Sequence, residues 1–370
     1  MAVNQSEFNW IVVEGMGAGE HGPRRFAVLV WIARTGPRMR ASLGPSVITG
    51  ADLPSPVGRL LPPWMPILSP FRVQSDDRPL FMAVLYDLDH VDRRPMAVEV
   101  EIEHEDFDPA TFSATSRDGD LQIHQLATLD APERSFTIAI KARSEQFDVE
   151  LYLRPQKGVF TFGPDGSPRI RQGPIETAYV QRPRLAATGQ IVILDEDGRP
   201  ETVERFTGDA CQDRQWLTVT ATQLKWIWVQ LRLADGRELM GYVMRDSSPG
   251  RWASANAGRR LDGDGWLIDG DGKLRRLPDF DVASVEEQEV RTDRGLCPTR
   301  FVVSVPELDL GVTVEHVIPA PFLRMKAFGP SLDAGICEGP ARILDATPPL
   351  DGHCWVEVMN AATARLGSAR

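Results

Sequence analysis

Apolar and polar positions alternate with a period of two over much of the chain. Phe147, Val149, Leu151 and Leu153 interleave with Asp148, Glu150 and Tyr152, and Val98, Val100 and Ile102 interleave with Glu99, Glu101 and Glu103. Successive side chains of a strand point to opposite faces, so these runs predict half-buried strands. Asp-Gly pairs at Asp165-Gly166, Asp197-Gly198, Asp235-Gly236 and Asp271-Gly272 stand between apolar runs, where hairpin turns want a residue of positive φ. No apolar stripe spans three helical turns, and the short runs Ser55–Leu61 and Asn360–Leu366 are the only helix candidates. Many short strands with regular turns predict an all-β fold of sandwiches or barrels. Because 370 residues is long for one such unit, two are expected, 1–189 and 190–370, divided in the polar turn region Gly189–Arg199. The stretch Pro37–Pro70, rich in Pro and Gly and containing Trp64, is a long connection that either covers a pocket or is simply irregular.

Charge narrows the partners. With 41 Lys+Arg against 52 Asp+Glu, the net charge is −11, which argues against nucleic acid, whose phosphates need a basic surplus. The 42% hydrophobic and 25% charged composition is that of a globular protein. No run of about 18 uncharged apolar residues exists to cross a membrane as a helix. Met1–Glu14 lacks a basic segment followed by an apolar one, so a mature cytoplasmic protein is expected. Cys211, Cys297, Cys337 and Cys354 form no CxxC pair and read as buried thiols in a reducing compartment.

Several motifs suggest chemistry that their context withdraws. Gly17-Ala-Gly19-Glu-His-Gly22 satisfies GxGxxG, but a dinucleotide site needs a helix next, and Phe26–Ile32 is another strand. Asp262-Gly-Asp264-Gly and Asp269-Gly-Asp271-Gly resemble a calcium loop, yet Trp266 and Lys273 occupy ligand positions, so two hairpin turns around a short strand are expected. The acidic cluster Glu101–Asp108 reads as a solvated face. His21, His90, His124, His316 and His353 show no ligand spacing, and no GxSxG or Cys-His signature occurs. Neither metal nor cofactor is expected.

The stretch from Tyr179 to Arg245 is more informative. Trp226, Trp228, Gln230 and Arg232 share one face of a strand, and Ile227, Val229, Leu231 and Leu233 share the other. The second face is suited to packing; the first has the aromatic, hydrogen-bonding character of a ligand wall. The next strand brings Tyr242 and Arg245 alongside.

Here the residues resemble the carotenoid 1,2-hydratase (hydroxyneurosporene synthase) group of lipocalin-like proteins, whose relatives include Diels–Alderases. The signatures run in order over nearly the whole chain. They are Glu7-Phe-Asn-Trp10 with Phe26–Arg34; Tyr179-Val-Gln-Arg182-Pro-Arg184-Leu185 with Gly189; Gly208-Asp-Ala-Cys-Gln-Asp213-Arg-Gln-Trp216; and Trp226-Ile-Trp228 through Asp235-Gly, Leu239-Met240 and Arg245. Trp252 with Ser254, Cys337-Glu338-Gly339 and Trp355-Val-Glu357-Val358 follow. The resemblance implies two lipocalin-like antiparallel β-barrels packed together, with a ligand site between or within them.

One departure bears on mechanism. Hydratases of the group resemble one another in a His after the signature Asp, and in a Tyr and an Asp on the strand that here runs from Leu239 to Arg245. This chain has Arg214 in the His place, and Tyr242 without a carboxylate before Asp246. Since Arg is no acid at neutral pH, the leading expectation is a cofactor-independent cyclase or isomerase of the Diels–Alderase kind. It would fold a hydrophobic polyene, polyketide or terpenoid intermediate in natural-product biosynthesis. The alternatives are a hydratase or hydro-lyase using Asp213 as acid, and a non-catalytic carrier of a hydrophobic small molecule. Expected catalytic residues are Asp213, Arg245, Tyr242 and Arg214; expected substrate-binding residues are Trp216, Trp226, Trp228, Gln230, Trp252 and Glu338.

Overall fold

The computed structural model describes residues 5–20, 22–34, 39–43, 80–90, 95–106, 113–116, 118–127, 136–163, 169–172, 175–218, 224–246, 254–285, 289–292, 295–318, 322–327 and 332–363. Within them the chain is nearly all β, in two large curled antiparallel sheets, as expected from its alternation. In the first sheet the strands from Gln5–Gly19 to Phe147–Pro155 run in sequence. Phe147–Pro155 pairs with Ile175–Leu194, which pairs with Pro200–Thr218, which returns to Gln5–Gly19 and closes the ring. The second sheet has the spatial order Leu274–Leu277, Arg260–Ile268, Glu238–Asp246, Leu224–Leu233, Gly352–Thr363, Leu332–Thr347, Leu310–His316, Arg300–Val305 and Asp281–Ser284.

The chain leaves the first sheet after Thr218 and enters the second at Leu224. The turn at 195–199 joins two long strands inside the first sheet, with Asp195 N donating to Arg199 O at 2.9 Å. Met39–Leu43 crosses over and pairs with Phe322–Ala327 on the second sheet, so part of the expected long connection is a strand. Its remaining residues, Trp64 and the helix candidate Ser55–Leu61 lie outside the described residues.

Each sheet spends one face on its own core. Phe147, Val149, Leu151 and Leu153 are buried as their alternation predicts, with Ile11, Val13, Phe26, Val28 and Phe206, in the first. Ile227, Val229, Leu231, Val243, Val356 and Val358 lie in the second. Gly241 and Gly265 are paired residues on adjacent strands, and the Phe280 ring lies over both. A Cβ on either would stand about 2.5 to 2.6 Å from that ring. The opposite faces of the sheets meet each other: Val12, Leu29, Trp31, Val84, Tyr86 and Cys211 of the first pack with Ile318 and Trp355 of the second.

Other expectations are settled in the same way. GxGxxG is the hairpin between Gln5–Gly19 and Gly22–Arg34, with Gly19 opposite Gly22 at φ 92°. Hairpin turns occur at Asp197-Gly198, Asp235-Gly236 and Asp271-Gly272, whereas Asp165-Gly166 lies outside the described residues. The calcium-like sequence needs correcting: Asp262-Gly-Asp264-Gly lies within the strand Arg260–Ile268, and only 269–273 forms a turn. Asn360–Thr363 ends the strand Gly352–Thr363 and is not helical, because it continues the ladder to residues 332–335. All four cysteines are free and buried. The side chains of Glu99–Asp108 are outside the described set.

Candidate active site

The meeting face of the second sheet is set by register. Across five strands one row reads Glu338, Glu357, Trp228, Tyr242, Asp264; the rows beside it read Pro340, Trp355, Gln230, Met240, Trp266 and Ile336, Met359, Trp226, Met244, Asp262. The first sheet opposes it with the row Gln181, Asp213, Trp10, Trp31, Met82. Contacts cross between the faces. Tyr86 Oη donates to the Glu338 carbonyl at 3.0 Å, its ring meets Trp355 edge-on at 5.9 Å, and Cys211 Sγ donates to Gln230 Oε1 at 2.8 Å.

Three carboxyls share this apolar interior. Asp213 Oδ2 accepts the Tyr179 hydroxyl at 2.9 Å, Trp226 Nε1 donates to Glu357 Oε1 at 2.6 Å, and Trp355 Nε1 donates to Glu338 Oε1 at 3.0 Å. These bonds favour the ionised forms, but burial outweighs them. Asp213 is pushed up to about 7 by desolvation, against the bond from Tyr179 and the nearby Gln181 amide and with the charge of Glu357 adding to the rise. Burial likewise lifts Glu357 to about 7 against its bond from Trp226. Glu338 is raised well above the usual carboxylate range by burial and then by Glu357, the indoles of Trp355 and Trp10 notwithstanding. Near neutral pH the site therefore holds carboxylic acid protons that exposed carboxyls would have lost. Asp213 Oδ1 and Glu338 Oε2 have no hydrogen-bond partner among the described residues. With Oδ2 occupied by Tyr179, the transferable proton of Asp213 belongs on Oδ1.

An aromatic run leads away from this acid. Tyr179 packs on Phe162 at 5.1 Å between ring centroids, Phe162 on Trp266 at 4.9 Å, and Trp266 on Tyr242 at 6.0 Å in a stacked arrangement. Tyr242 Oη donates to Asp262 Oδ2 at 3.0 Å. Beyond the acid cluster the two sheets are clamped by ion pairs and by a histidine–carboxylate contact. Arg184 and Lys157 from the first sheet's side pair with buried Glu238 of the second, Arg184 at 2.7 Å. Glu14 of the first meets His353 of the second at 3.0 Å and Arg232 at 3.7 Å.

The structure brings Asp213, Trp226, Trp228, Gln230, Glu338 and Tyr242 to this meeting region. It takes two expected residues elsewhere. Arg214 follows Asp213 and projects into the first sheet's own interior, where it is buried near Arg182, whose guanidinium it helps lower to about 10 after burial. Arg182 in turn donates to Gln212 at 2.7 Å. Arg245 is the cross-strand partner of Lys225, on the face opposite Tyr242. Asp213 bonds Tyr179 and does not pair with Arg184, which holds Glu238. Trp252 and the Trp216 side chain are not among the described positions. Tyr179 and Glu357 join the site without having been singled out as site residues. Glu357 carries a visible signal: it faces away from Cys354, Val356 and Val358, as Trp228 faces away from Ile227 and Val229. Among the described residues no group of three or more His, Cys, Asp or Glu could hold a metal ion.

A family model described as AttH-like matches residues 82–358, most of the chain. The chain belongs to the AttH-like family. Its carotenoid hydratase-like lipocalin fold is the one the sequence resembles. A protein described as AttH from Nitrosomonas europaea superposes with a TM-score of 0.63 at 16% identity, over 95% of this chain and 92% of that one. Kievitone hydratase from Nectria haematococca superposes with a TM-score of 0.58 at 12% identity, over 96% and 89%. These two share the fold. CghA in complex with Sch210972 aligns at a TM-score of 0.48 and 10% identity, over 97% and 88%. No curated protein sequence matches the chain. Among the described residues no helix is long and apolar enough to cross a membrane.

Proposed function

We propose that this member of the family is a hydratase or hydro-lyase that adds water to a carbon–carbon double bond of a hydrophobic polyene, polyketide or terpenoid, with Asp213 as the general acid. The observation that carries the reading is Asp213 itself, a buried carboxyl on the meeting face, bonded through one oxygen to Tyr179 and poised near pH 7. A general acid works best with a pKa near the working pH, and contributes roughly 10²- to 10⁴-fold. The cyclase expectation from the sequence rested on the family resemblance, the aromatic strand face of Trp226 and Trp228, and the lack of a proton donor where Arg214 replaces His. The buried Asp213 carboxyl supports a proton donor at the position before Arg214, and a hydratase stands among the proteins that share this fold.

In the proposed reaction the Asp213 Oδ1 proton goes to one alkene carbon, whose π pair forms the new C–H bond. The other carbon becomes cationic, a water oxygen closes the C–O bond and gives up one proton, which passes to bulk water, and Asp213, left as carboxylate, takes a proton back from solvent. The Trp228 indole stabilises the cation, an interaction of about 0.5–2 kcal/mol. Protein groups and water suffice for these steps. The test is mass spectrometry of products from kievitone, linear polyenes and terpenes. A hydratase yields product heavier by one water, absent with Asp213→Asn; a product of unchanged mass that Asp213→Asn still makes supports the pericyclic cyclase instead.

A further inference from the structure

A second tyrosine–carboxylate pair stands at the far end of the aromatic run. Asp262 is the cross-strand partner of Met244 and the diagonal neighbour of Tyr242, in a segment whose sequence reads as a turn but which is strand. Both of its oxygens are held, Oδ2 by Tyr242 Oη at 3.0 Å and Oδ1 by the backbone N–H of Gly263 at 3.0 Å. Tyr242 is buried while Asp262 is partly exposed, so the phenol faces the interior and the carboxylate behind it reaches water. Arg276, bonded to Asp264 at 2.6 Å, interacts electrostatically with both members of the pair.

The placement relative to the acids is set by the sheet. Tyr242 and Glu357 flank Trp228 in one row, two strand spacings apart, which is about 10 Å. Glu357 lies close enough to Asp213 to act on it electrostatically. A double bond lying over the Trp228 indole would thus have the acid cluster on one side and the Tyr242 hydroxyl on the other.

Resting on the hydratase reading above, we propose that Tyr242 and Asp262 form the base of the reaction. The attacking water gives its proton to Tyr242 Oη as that hydroxyl passes its own proton to the Asp262 carboxylate. The water's lone pair forms the C–O bond, and Asp262, now protonated, releases the proton to solvent. Asp213, left as carboxylate by the first step, regains a proton from water to complete the cycle.

The two ends of the site separate by isotope. In D2O the wild type adds one D2O to the alkene of a turned-over member of the panel. With Asp262→Asn or Tyr242→Phe, protonation by Asp213 continues, but the cation is not captured and returns a proton to Asp213. Those variants are expected to lose hydration by at least about 100-fold while still exchanging alkene C–H for deuterium, whereas Asp213→Asn loses both. Hydration by Asp262→Asn at the wild-type rate, with Asp213→Asn inactive, overturns the base and leaves the acid standing. Loss of exchange together with hydration in folded Asp262→Asn and Tyr242→Phe also overturns it, by assigning the pair to the shape of the site. If the wild type neither hydrates nor exchanges any panel member, the hydratase reading falls and the base with it.

Discussion

Replacing Asp213 by Asn alters the pH dependence of stability in a calculable way. In the unfolded chain the carboxyl titrates near 3.8; in the folded protein burial moves it to about 7. A group raised by folding binds more protons in the native state across that interval, so native stability falls as pH climbs from about 4 to about 7 and stays reduced above it. At about 1.4 kcal/mol per pH unit, the interval is worth up to about 4 kcal/mol. Asn keeps an acceptor for the Tyr179 hydroxyl and cannot ionise. Asp213→Asn and wild type should therefore have similar stability near pH 4 and diverge as pH rises, the variant becoming more stable by up to about 4 kcal/mol at pH 8. Urea unfolding midpoints measured across pH 4 to 8 report this directly. Parallel profiles would mean instead that Asp213 ionises alike in the folded and unfolded states.

Other substitutions probe the same interface. Glu357→Gln removes a neighbouring negative charge and should lower the pKa of Asp213, while Tyr179→Phe removes a bond to its ionised form and should raise it; carboxyl NMR titration of each variant reads the direction. Glu238→Ala leaves Arg184 and Lys157 facing a dry interface without their partner and should cost about 3–5 kcal/mol in unfolding free energy. Gly241→Ala drives a Cβ against the Phe280 ring and should cost about 1–3 kcal/mol by the same measurement.

The fold was largely legible because alternation fixes both strand and facing. Phe147 to Leu153 and Trp226 to Leu233 lie as their period-two pattern requires. The same rule could have gone further at the site: Arg214 adjoins Asp213 on one strand, and residues one apart face opposite ways. What single strands cannot supply is the register between distant ones. Glu338 and Glu357 become neighbours only when Leu332–Thr347 pairs with Gly352–Thr363. Tyr179 reaches Asp213 only because Ile175–Leu194 pairs with Pro200–Thr218. Asp262 was hidden by its glycines, which read as turn punctuation, whereas Gly263 and Gly265 lie within a strand, Gly265 beneath Phe280. The ionic clamp through Glu238 joins segments about 50 to 80 residues apart, as the packing of two sheets allows.

The proposed role of Asp213 requires a carboxyl that still holds a proton close to pH 7. Its carboxyl carbon, assigned in the 13C NMR spectrum by its absence from Asp213→Asn, should titrate with a midpoint near 7. A midpoint near 4, the ordinary value for an aspartate in water, would contradict it.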